Sequence, residues 1–280
     1  MGMNTASVQR LYVAYFNRPA DPISLAVYEA MLPADRVATQ AELLVVAETY
    51  FSPSTEYTAN FEGKSNSQIV NQLYQNIFGR EAEAEGLISW ATQLTDGSIT
   101  VAELALQLSF SAQGTDAAVV DARIEAATTF TNGLDTAEEI TGYSGNEAAA
   151  QGRAYLAQIS GALPTTTEAI TAQKDSAIAN VDASIQSAVD AGNNAAGTTY
   201  ALTTGLDTLT GTTDNDTFSA VIGTNATTAN GTTLNPGDNL TGGSSTDTLA
   251  VAAAGTHTTA QTISAFDLTS VESVMVSNFQ

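Results

Sequence analysis

The chain has 280 residues, a formal net charge of −22 and no cysteine. This excess of acid excludes a nucleic-acid interface, because phosphate backbones are bound through clustered Lys and Arg. The lack of cysteine excludes disulfides, thiolate zinc sites and thiol catalysis. All eight basic residues lie at or before Lys174, whereas the last 106 residues carry ten acids. Cations are expected to neutralise so acidic a segment.

Helix-start signals run through the first part of the chain. Thr39, Ser65 and Thr100 are each followed three positions later by Glu or Gln, the capping-box pattern that precedes a helix. Asp21 and Pro22 form a further start signal, with an N-cap residue before proline. Apolar residues at three- and four-residue steps follow each start. The first half of the chain is therefore predicted to be helical.

One helical segment occurs twice, at an offset of 62 residues. Residues 8–20 read Val-x2-Leu-Tyr-x3-Phe-x-Arg-x-Ala, and residues 70–82 repeat that pattern. One copy alone cannot bury its apolar face, so the two copies are predicted to pack together within residues 4–115. The pattern resembles a small helical module, of unassigned function, that occurs in secreted bacterial surface and calcium-repeat proteins.

A change of composition divides the chain. Pro164 and the threonines that follow it predict the start of one long helix, with an apolar stripe from Ile170 to Val189. Residues 191–197 are polar, flexible and uncharged, as is typical of a boundary. We therefore expect two domains, residues 1–196 and 197–280.

Aspartates recur at regular spacing in the second domain. Asp207 and Asp216 lie nine positions apart, each with a large apolar residue two positions later, and Asp238 and Asp247 repeat the arrangement. This is the Asp-x-apolar pattern of the nine-residue, calcium-binding parallel β-roll. Calcium accepts six to eight carboxylate and carbonyl oxygens in irregular geometry, which suits such turns. The predicted calcium ligands are Gly205, Asp207, Asp214, Asn215, Asp216, Asp238, Gly242, Gly243 and Asp247.

A second interpretation of these aspartates is that they cap turns between ordinary strands. We favour calcium, because the four Asp-x-apolar triplets fall into two pairs of equal spacing. The predicted fold class is α + β in two domains: an all-α helical N-terminal domain, followed by a parallel β-solenoid of the calcium β-roll type.

No catalytic motif is present. His257 is the single histidine and has no carboxylate at triad or metal-ligand spacing, and nucleophile-elbow, zinc-protease and Walker motifs are absent. A glycosidase pair of carboxylates stays open, because acids are plentiful. Neither a cleavable signal peptide nor an apolar run of membrane-spanning length is found. We expect a protein that is not an enzyme.

The order of the segments resembles a known family. Residues 202–218 and 237–249 are similar to the junction of Caulobacter-type surface-layer proteins, where a helical domain meets the first calcium-repeat turns. The resemblance implies a helical domain attached to the O-antigen of lipopolysaccharide, and a strand region that builds a calcium-dependent lattice by self-association. It also implies a cell-surface location reached through a one-step, type I export channel. We expect further chain beyond Gln280.

Two questions stay open at this level. Candidate glycan contacts are Tyr57, Asn60 and Tyr143, chosen as Tyr and Asn residues expected in loops between helices. The alternative function is the stalk of a type I-secreted adhesin or exoenzyme, with its active part beyond residue 280. A hydrolase signature or immunoglobulin-like repeats in that continuation would favour the stalk.

Overall fold

The computed structural model describes residues 2–162, 165–193, 196–223, 231–243, 245–254 and 266–279. The chain divides into two compact units. The first, here called the helical unit, comprises Met1–Ile140 and Ala149–Ala188, and the second, the strand unit, comprises Thr141–Ala148 and Val189–Gln280. Among the described residues, no helix has both the length and the apolar character needed to cross a membrane.

Helices begin where the capping signals predict them. The capping boxes at Thr39, Ser65 and Thr100 are confirmed, with both reciprocal hydrogen bonds formed in each, and Asp21 caps the helix that starts at Pro22. A π-helical turn, Ala47–Phe51, follows the third helix. The helices of the described residues are α1 Thr5–Phe16, α2 Pro22–Glu29, α3 Gln40–Val46, α4 Thr55–Phe61, α5 Asn66–Phe78, α6 Ala84–Thr95, α7 Val101–Ser111, α8 Gly114–Gly133, α9 Ala137–Gly142, α10 Gly145–Ala157, α11 Thr167–Ala179 and α12 Val181–Asn193.

The sequence repeat corresponds to a repeated set of contacts. The backbone N–H of Ala20 donates to Oε1 of Gln9 at 3.1 Å, and the N–H of Ala82 donates to Oδ1 of Asn71 at 3.1 Å. In each copy the hydrogen bond joins the first helix, α1 or α5, to the loop that follows that helix. The two hydrogen bonds are 62 positions apart in the sequence, as the repeat is. The same local geometry therefore ends the first helix of each copy.

The two repeated arginines have equivalent structural roles. Arg18 forms a two-pronged ion pair with Glu56, at 2.8 and 2.7 Å, and Arg80 forms one with Asp116, at 3.0 and 2.7 Å. Each guanidinium also lies over the ring of the tyrosine six positions earlier, 5.1 and 5.4 Å from the ring centroid. Planar, paired hydrogen bonding of this kind fixes the side chain in one geometry. These arginines therefore hold the ends of their own repeats in place.

Arg123 of α8 joins the two copies. Its side chain is buried, with 2% of its surface exposed. It donates to the carbonyls of Gln75, Asn76 and Ile159, and to Oδ1 of Asn17, over 2.7–3.2 Å. Carbonyls at helix C-termini carry partial negative charge, which stabilises a cation placed there. Burial lowers the pKa of Arg123 to about 10, so it stays charged at neutral pH and binds the ends of α1 and α5 to one point.

The helical core lies between the equivalent helices of the two copies. Most of its fully buried side chains come from α1, α3, α5 and α7. They belong to one continuous cluster, which includes Val8, Leu11, Leu43, Val70, Leu73, Leu104 and Leu106. Burial of apolar side chains contributes about 25 cal/mol per Å². Packing of one copy against the other therefore buries the apolar helix faces, which a single copy would leave exposed.

The prediction of one long helix after Pro164 is wrong. The structure has two helices, α11 and α12, which meet at Asn180 with backbone angles of φ −111° and ψ 18°. The Asn180 side chain donates to the carbonyl of Ser176 at 2.8 Å. An Asn side chain that bonds to nearby backbone groups in this way favours the end of a helix. The spacing of apolar residues carries no information about this local effect.

The strand unit contains two parallel sheets. A four-stranded sheet has the order β1-β3-β5-β7, and a three-stranded sheet has the order β2-β4-β6. A small core between them holds Leu202, Phe218, Leu240, Leu249 and Val251. The strands of the described residues are β1 Ala196–Ala201, β2 Thr208–Thr210, β3 Asn215–Ile222, β4 Asn239–Thr241, β5 Thr248–Ala254, β6 Asp267–Thr269 and β7 Ser273–Phe279.

The predicted fold class, with its calcium β-roll solenoid, is wrong. The described strands form two small parallel sets, and the chain as a whole is a mixed α and β fold. Thr208 pairs with Asn239, 31 positions later, whereas Thr248 pairs with Ser273, only 25 positions later. A nine-residue roll requires a short and constant step. The nine-residue step between Asp207 and Asp216 separates strands of different sheets, so it does not set the pairing register.

Replacement of Arg123 by Met tests its joining role. We expect a loss of about 3 kcal/mol in the free energy of unfolding, because carbonyls at buried helix ends lose their donor. The measurement is urea denaturation followed by far-UV circular dichroism. Arg36→Met is the matched control, since half of the Arg36 side chain is exposed, and it should change stability by less than about 0.5 kcal/mol. Equal losses in both variants would contradict the role of Arg123.

Candidate functional site

The four regularly spaced aspartates lie at the starts of strands in the strand unit. Asp207, Asp238 and Asp247 directly precede β2, β4 and β5, and Asp216 is the second residue of β3. None of the four residues is more than 8% exposed. Buried carboxylates are costly unless they are paired or hydrogen-bonded, so their partners decide what these residues do.

Each of three carboxylates accepts a hydrogen bond from a backbone N–H of its own turn. Asp and Asn commonly close turns in this way, since the side chain replaces a backbone acceptor. The Oδ2 atoms of these aspartates accept from residues three or four positions earlier: Thr203 to Asp207 at 2.8 Å, Asn235 to Asp238 at 2.6 Å, and Thr212 to Asp216 at 2.5 Å.

Carboxylates also connect successive strands of one sheet. The N–H of Asp207 donates to Oδ1 of Asp238 at 2.9 Å, and the N–H of Asp216 donates to Oδ1 of Asp247 at 2.7 Å. The N–H of Asp247 donates in turn to Oε2 of Glu272 at 2.8 Å. We call these five residues the carboxylate ladder. Residues that are bonded to each other in the ladder lie 31 or 25 positions apart, as the paired strands do, and not nine.

Three turn glycines, Gly211 and the predicted Gly242 and Gly243, allow close approach between neighbouring strands. A Cβ added to Gly211 would overlap the carbonyl of Gly242, and one added to Gly242 would overlap the carbonyl of Ser270. A Cβ on Gly243 would overlap the carbonyl of Thr212. Glycine is therefore required at these turns because backbone from the next turn occupies the space that a side chain would fill.

One buried carboxylate oxygen of the ladder has no hydrogen-bond partner among the described residues. Oδ2 of Asp247 is buried and accepts no hydrogen bond. Burial raises the pKa of Asp247, and the nearby charges of Asp216 and Glu272 raise it further. No group of three or more metal-ligating side chains occurs in the described ranges. The aspartates as arranged do not offer the six to eight free oxygens of a calcium site, because most of their oxygens accept hydrogen bonds from backbone N–H groups. Calcium binding by this chain stays a prediction.

The remaining predicted ligands are dispersed. Gly205 lies in an exposed turn, and Oδ1 of Asn215 accepts a hydrogen bond from the N–H of Thr246 at 3.0 Å. Asp214 has its carboxylate beside the position where Gly145 would carry a Cβ. His257 lies outside the described residues.

The predicted glycan contacts belong to different units of the chain. Tyr57 and Asn60 lie on α4, where Asn60 donates to the carbonyl of Tyr15 at 3.3 Å and the ring of Tyr57 packs 4.7 Å from that of Phe61. Tyr143 belongs to the strand unit and is buried. Tyr57 and Asn60 therefore support the packing of α4.

A pocket that no motif predicted lies between α3 and α7. Its volume is about 520 Å³, within the range of small-molecule sites. Both copies of the repeat contribute, because α3 belongs to the first copy and α6 and α7 to the second. We call it the amide pocket after its three glutamines. Its lining residues are Gln40, Ala41, Leu44, Gln93, Ser98, Ile99, Glu103, Leu106 and Gln107.

The amide pocket combines polar groups with an apolar floor. Ile99 and Leu106 are buried and provide hydrocarbon surface. Gln40 and Gln107 lie exposed on neighbouring helices, and each amide offers two donors and one acceptor atom. Glu103 is held by its capping box, where its Oε2 accepts from the N–H of Thr100 at 2.8 Å. With one carboxylate and no cation, the lining favours a neutral ligand that forms hydrogen bonds.

A protein-family model matches part of the chain. Residues 47–115 match the sequence model of DUF4214, a domain of unknown function. This region begins at the π-helical turn and includes α4–α7, so it contains the α6 and α7 side of the amide pocket but not α3. Comparisons with curated proteins and with solved structures found no match.

Replacement of Asp247 by Asn is expected to stabilise the strand unit at pH 7. Asn keeps an acceptor for the N–H of Asp216 and removes a buried charge. The pKa of Asp247 in the folded chain is raised above the ordinary value of 3.8, so the folded state binds the carboxyl proton more tightly than the unfolded state does. The free energy of unfolding of the natural chain therefore falls as pH rises from 3.8 through the folded pKa. The gain should therefore disappear below about pH 3.8.

Urea denaturation at several pH values between 3 and 7 measures this change. Asp267→Asn, an exposed replacement in β6, is the control and should show no pH-dependent difference from the natural chain. A gain that is constant across the pH range, or a loss of stability at pH 7, would contradict the assignment of a costly buried charge to Asp247.

Proposed function

We propose that this chain is a structural cell-surface protein without catalytic activity. Its helical unit attaches to a neutral surface polysaccharide, such as the O-antigen of lipopolysaccharide, and its strand unit contributes to a surface lattice. The observation that carries the proposal is the amide pocket, which combines neutral hydrogen-bonding side chains with an apolar floor.

The chemistry of the pocket suits a sugar ring. A pyranose presents hydroxyl groups at its edge, which both donate and accept, and C–H groups on its faces. The amides of Gln40, Gln93 and Gln107 can bond such hydroxyls in either direction. Leu44 and Ile99 can contact the C–H face. A single contact of this kind binds weakly, but many such contacts across a lattice together give strong attachment.

The charge distribution favours a neutral polysaccharide over a polyanion. All eight Lys and Arg side chains are engaged within the chain. Five pair with carboxylates, and three contact carbonyl groups or an aromatic ring. The ion-paired residues are Arg18, Arg36, Arg80, Arg153 and Lys174, and the others are Arg10, Lys64 and Arg123. In the described part of the chain the acids therefore outnumber the Lys and Arg side chains, all of which are engaged, and a phosphate-rich chain would be repelled.

Strand β7 supports the lattice part of the proposal. Val274, Met275 and Val276 are 54–66% exposed, at the edge of the four-stranded sheet. The segment Ser273–Phe279 carries no charged side chain. Uncharged apolar edge strands tend to pair with further strands.

Cosedimentation with lipopolysaccharide vesicles tests the attachment. We expect the chain to sediment with vesicles that carry O-antigen and to stay in solution with vesicles that lack it. Ala41→Trp should weaken binding at least about tenfold, equal to about 1.4 kcal/mol, because Ala41 is an exposed residue of the pocket lining and indole would fill the space.

Gln75→Ala, a change at an exposed position of α5 outside the pocket, is the matched control and should bind normally. Unchanged thermal unfolding of both variants would show that they are folded. Equal binding to vesicles with and without O-antigen would contradict the attachment, and normal binding by folded Ala41→Trp would contradict the role of the pocket.

A further inference from the structure

We propose that the carboxylate ladder holds the strand unit together without divalent cations. Backbone N–H groups bond to both carboxylate oxygens of Asp216 and Asp238, and to one oxygen of each other ladder residue, which a bound ion would otherwise use. The inference concerns folding, and so goes beyond the proposed attachment to polysaccharide. Three observations carry it: the use of the oxygen atoms, the connection between strands, and the close packing at the glycines.

In Asp216 both carboxylate oxygens accept hydrogen bonds from backbone N–H groups. Its Oδ1 accepts from the N–H of Thr198, and its Oδ2 accepts from the N–H of Thr212, each at 2.5 Å. The hydroxyl of Thr212 adds contacts at 3.1 and 3.3 Å. Hydrogen bonds to an ionised carboxylate are about twice as strong as neutral ones. A calcium ion at Asp216 would have to displace donors that are already in place.

Asp238 shows how a carboxylate connects two strands. Its Oδ2 accepts from the N–H of Asn235 in its own turn, and its Oδ1 accepts from the N–H of Asp207 in the preceding turn. The residue is fully buried. In metal-bound repeats an ion connects adjacent turns because oxygen atoms from both turns coordinate it. Here one side chain connects them by accepting two N–H groups.

The glycine turns contact each other directly. The N–H of Gly211 donates to the carbonyl of Thr241 at 2.7 Å, and the N–H of Gly242 donates to the carbonyl of Thr269 at 2.9 Å. Calcium would need six to eight oxygens at about 2.3–2.6 Å. These turns instead bond to each other, and their glycines leave room only for the neighbouring backbone.

Hydrogen–deuterium exchange of the whole chain tests this inference. Peptides that span β3 and β5 should exchange at the same rate in excess calcium chloride and in excess EDTA. Asp216→Asn should speed their exchange at least about fivefold, which corresponds to about 1 kcal/mol, because the side-chain amide places a donor against a backbone N–H. Peptides from α1 and α5 serve as the internal reference for the helical unit.

Asp267→Asn is the matched control, because Asp267 of β6 pairs in register with Asn239 of β4 but is exposed. It should leave exchange in β3 and β5 unchanged. Loss of protection in EDTA that calcium restores would overturn the inference. So would an Asp216→Asn variant whose exchange matches that of Asp267→Asn.

Discussion

Buried backbone groups at the ends of helices and strands must find hydrogen-bond partners, and charged side chains supply them in both units. In the helical unit, the Arg123 guanidinium donates to carbonyls at the end of α5 and to the side-chain oxygen of Asn17, which ends α1. In the strand unit, aspartate oxygens accept from N–H groups at turns before strands. The charges are opposite, because helix ends expose acceptors and these turns expose donors. One constraint thus explains why ionised groups lie inside an acidic protein.

The amide pocket depends on the same constraint. Its walls come from α3 in one copy and from α6 and α7 in the other, so its shape requires the two copies to keep a fixed relation. Arg123 provides part of that relation, and the shared apolar core provides the rest. A single copy of the module lacks part of the lining. The proposed attachment to polysaccharide is therefore a property of the pair and not of the repeated unit.

Local sequence signals predicted the helices well and the strand pairing poorly. The capping boxes, and the repeated contacts of Gln9 and Asn71, follow from residues close together in sequence. Arg123 gave no such signal, because its partners lie 36 to 106 positions away. The register of the aspartates depends on strand pairing 31 positions apart. Since a carboxylate can accept an N–H or bind calcium, residue type alone could not separate the two interpretations. The pocket draws on three helices and one loop, so no motif marks it.

The carboxylate ladder can be observed directly by nuclear magnetic resonance, through scalar couplings that cross hydrogen bonds. The most informative pair is the backbone nitrogen of Asp216 and the side-chain carboxyl carbon of Asp247, joined by an N–H···O bond of 2.7 Å. The account predicts a measurable coupling for this pair in excess calcium and in EDTA alike. A coupling that is missing in both conditions, or that is replaced in calcium by a metal-bound carboxylate shift, would contradict it.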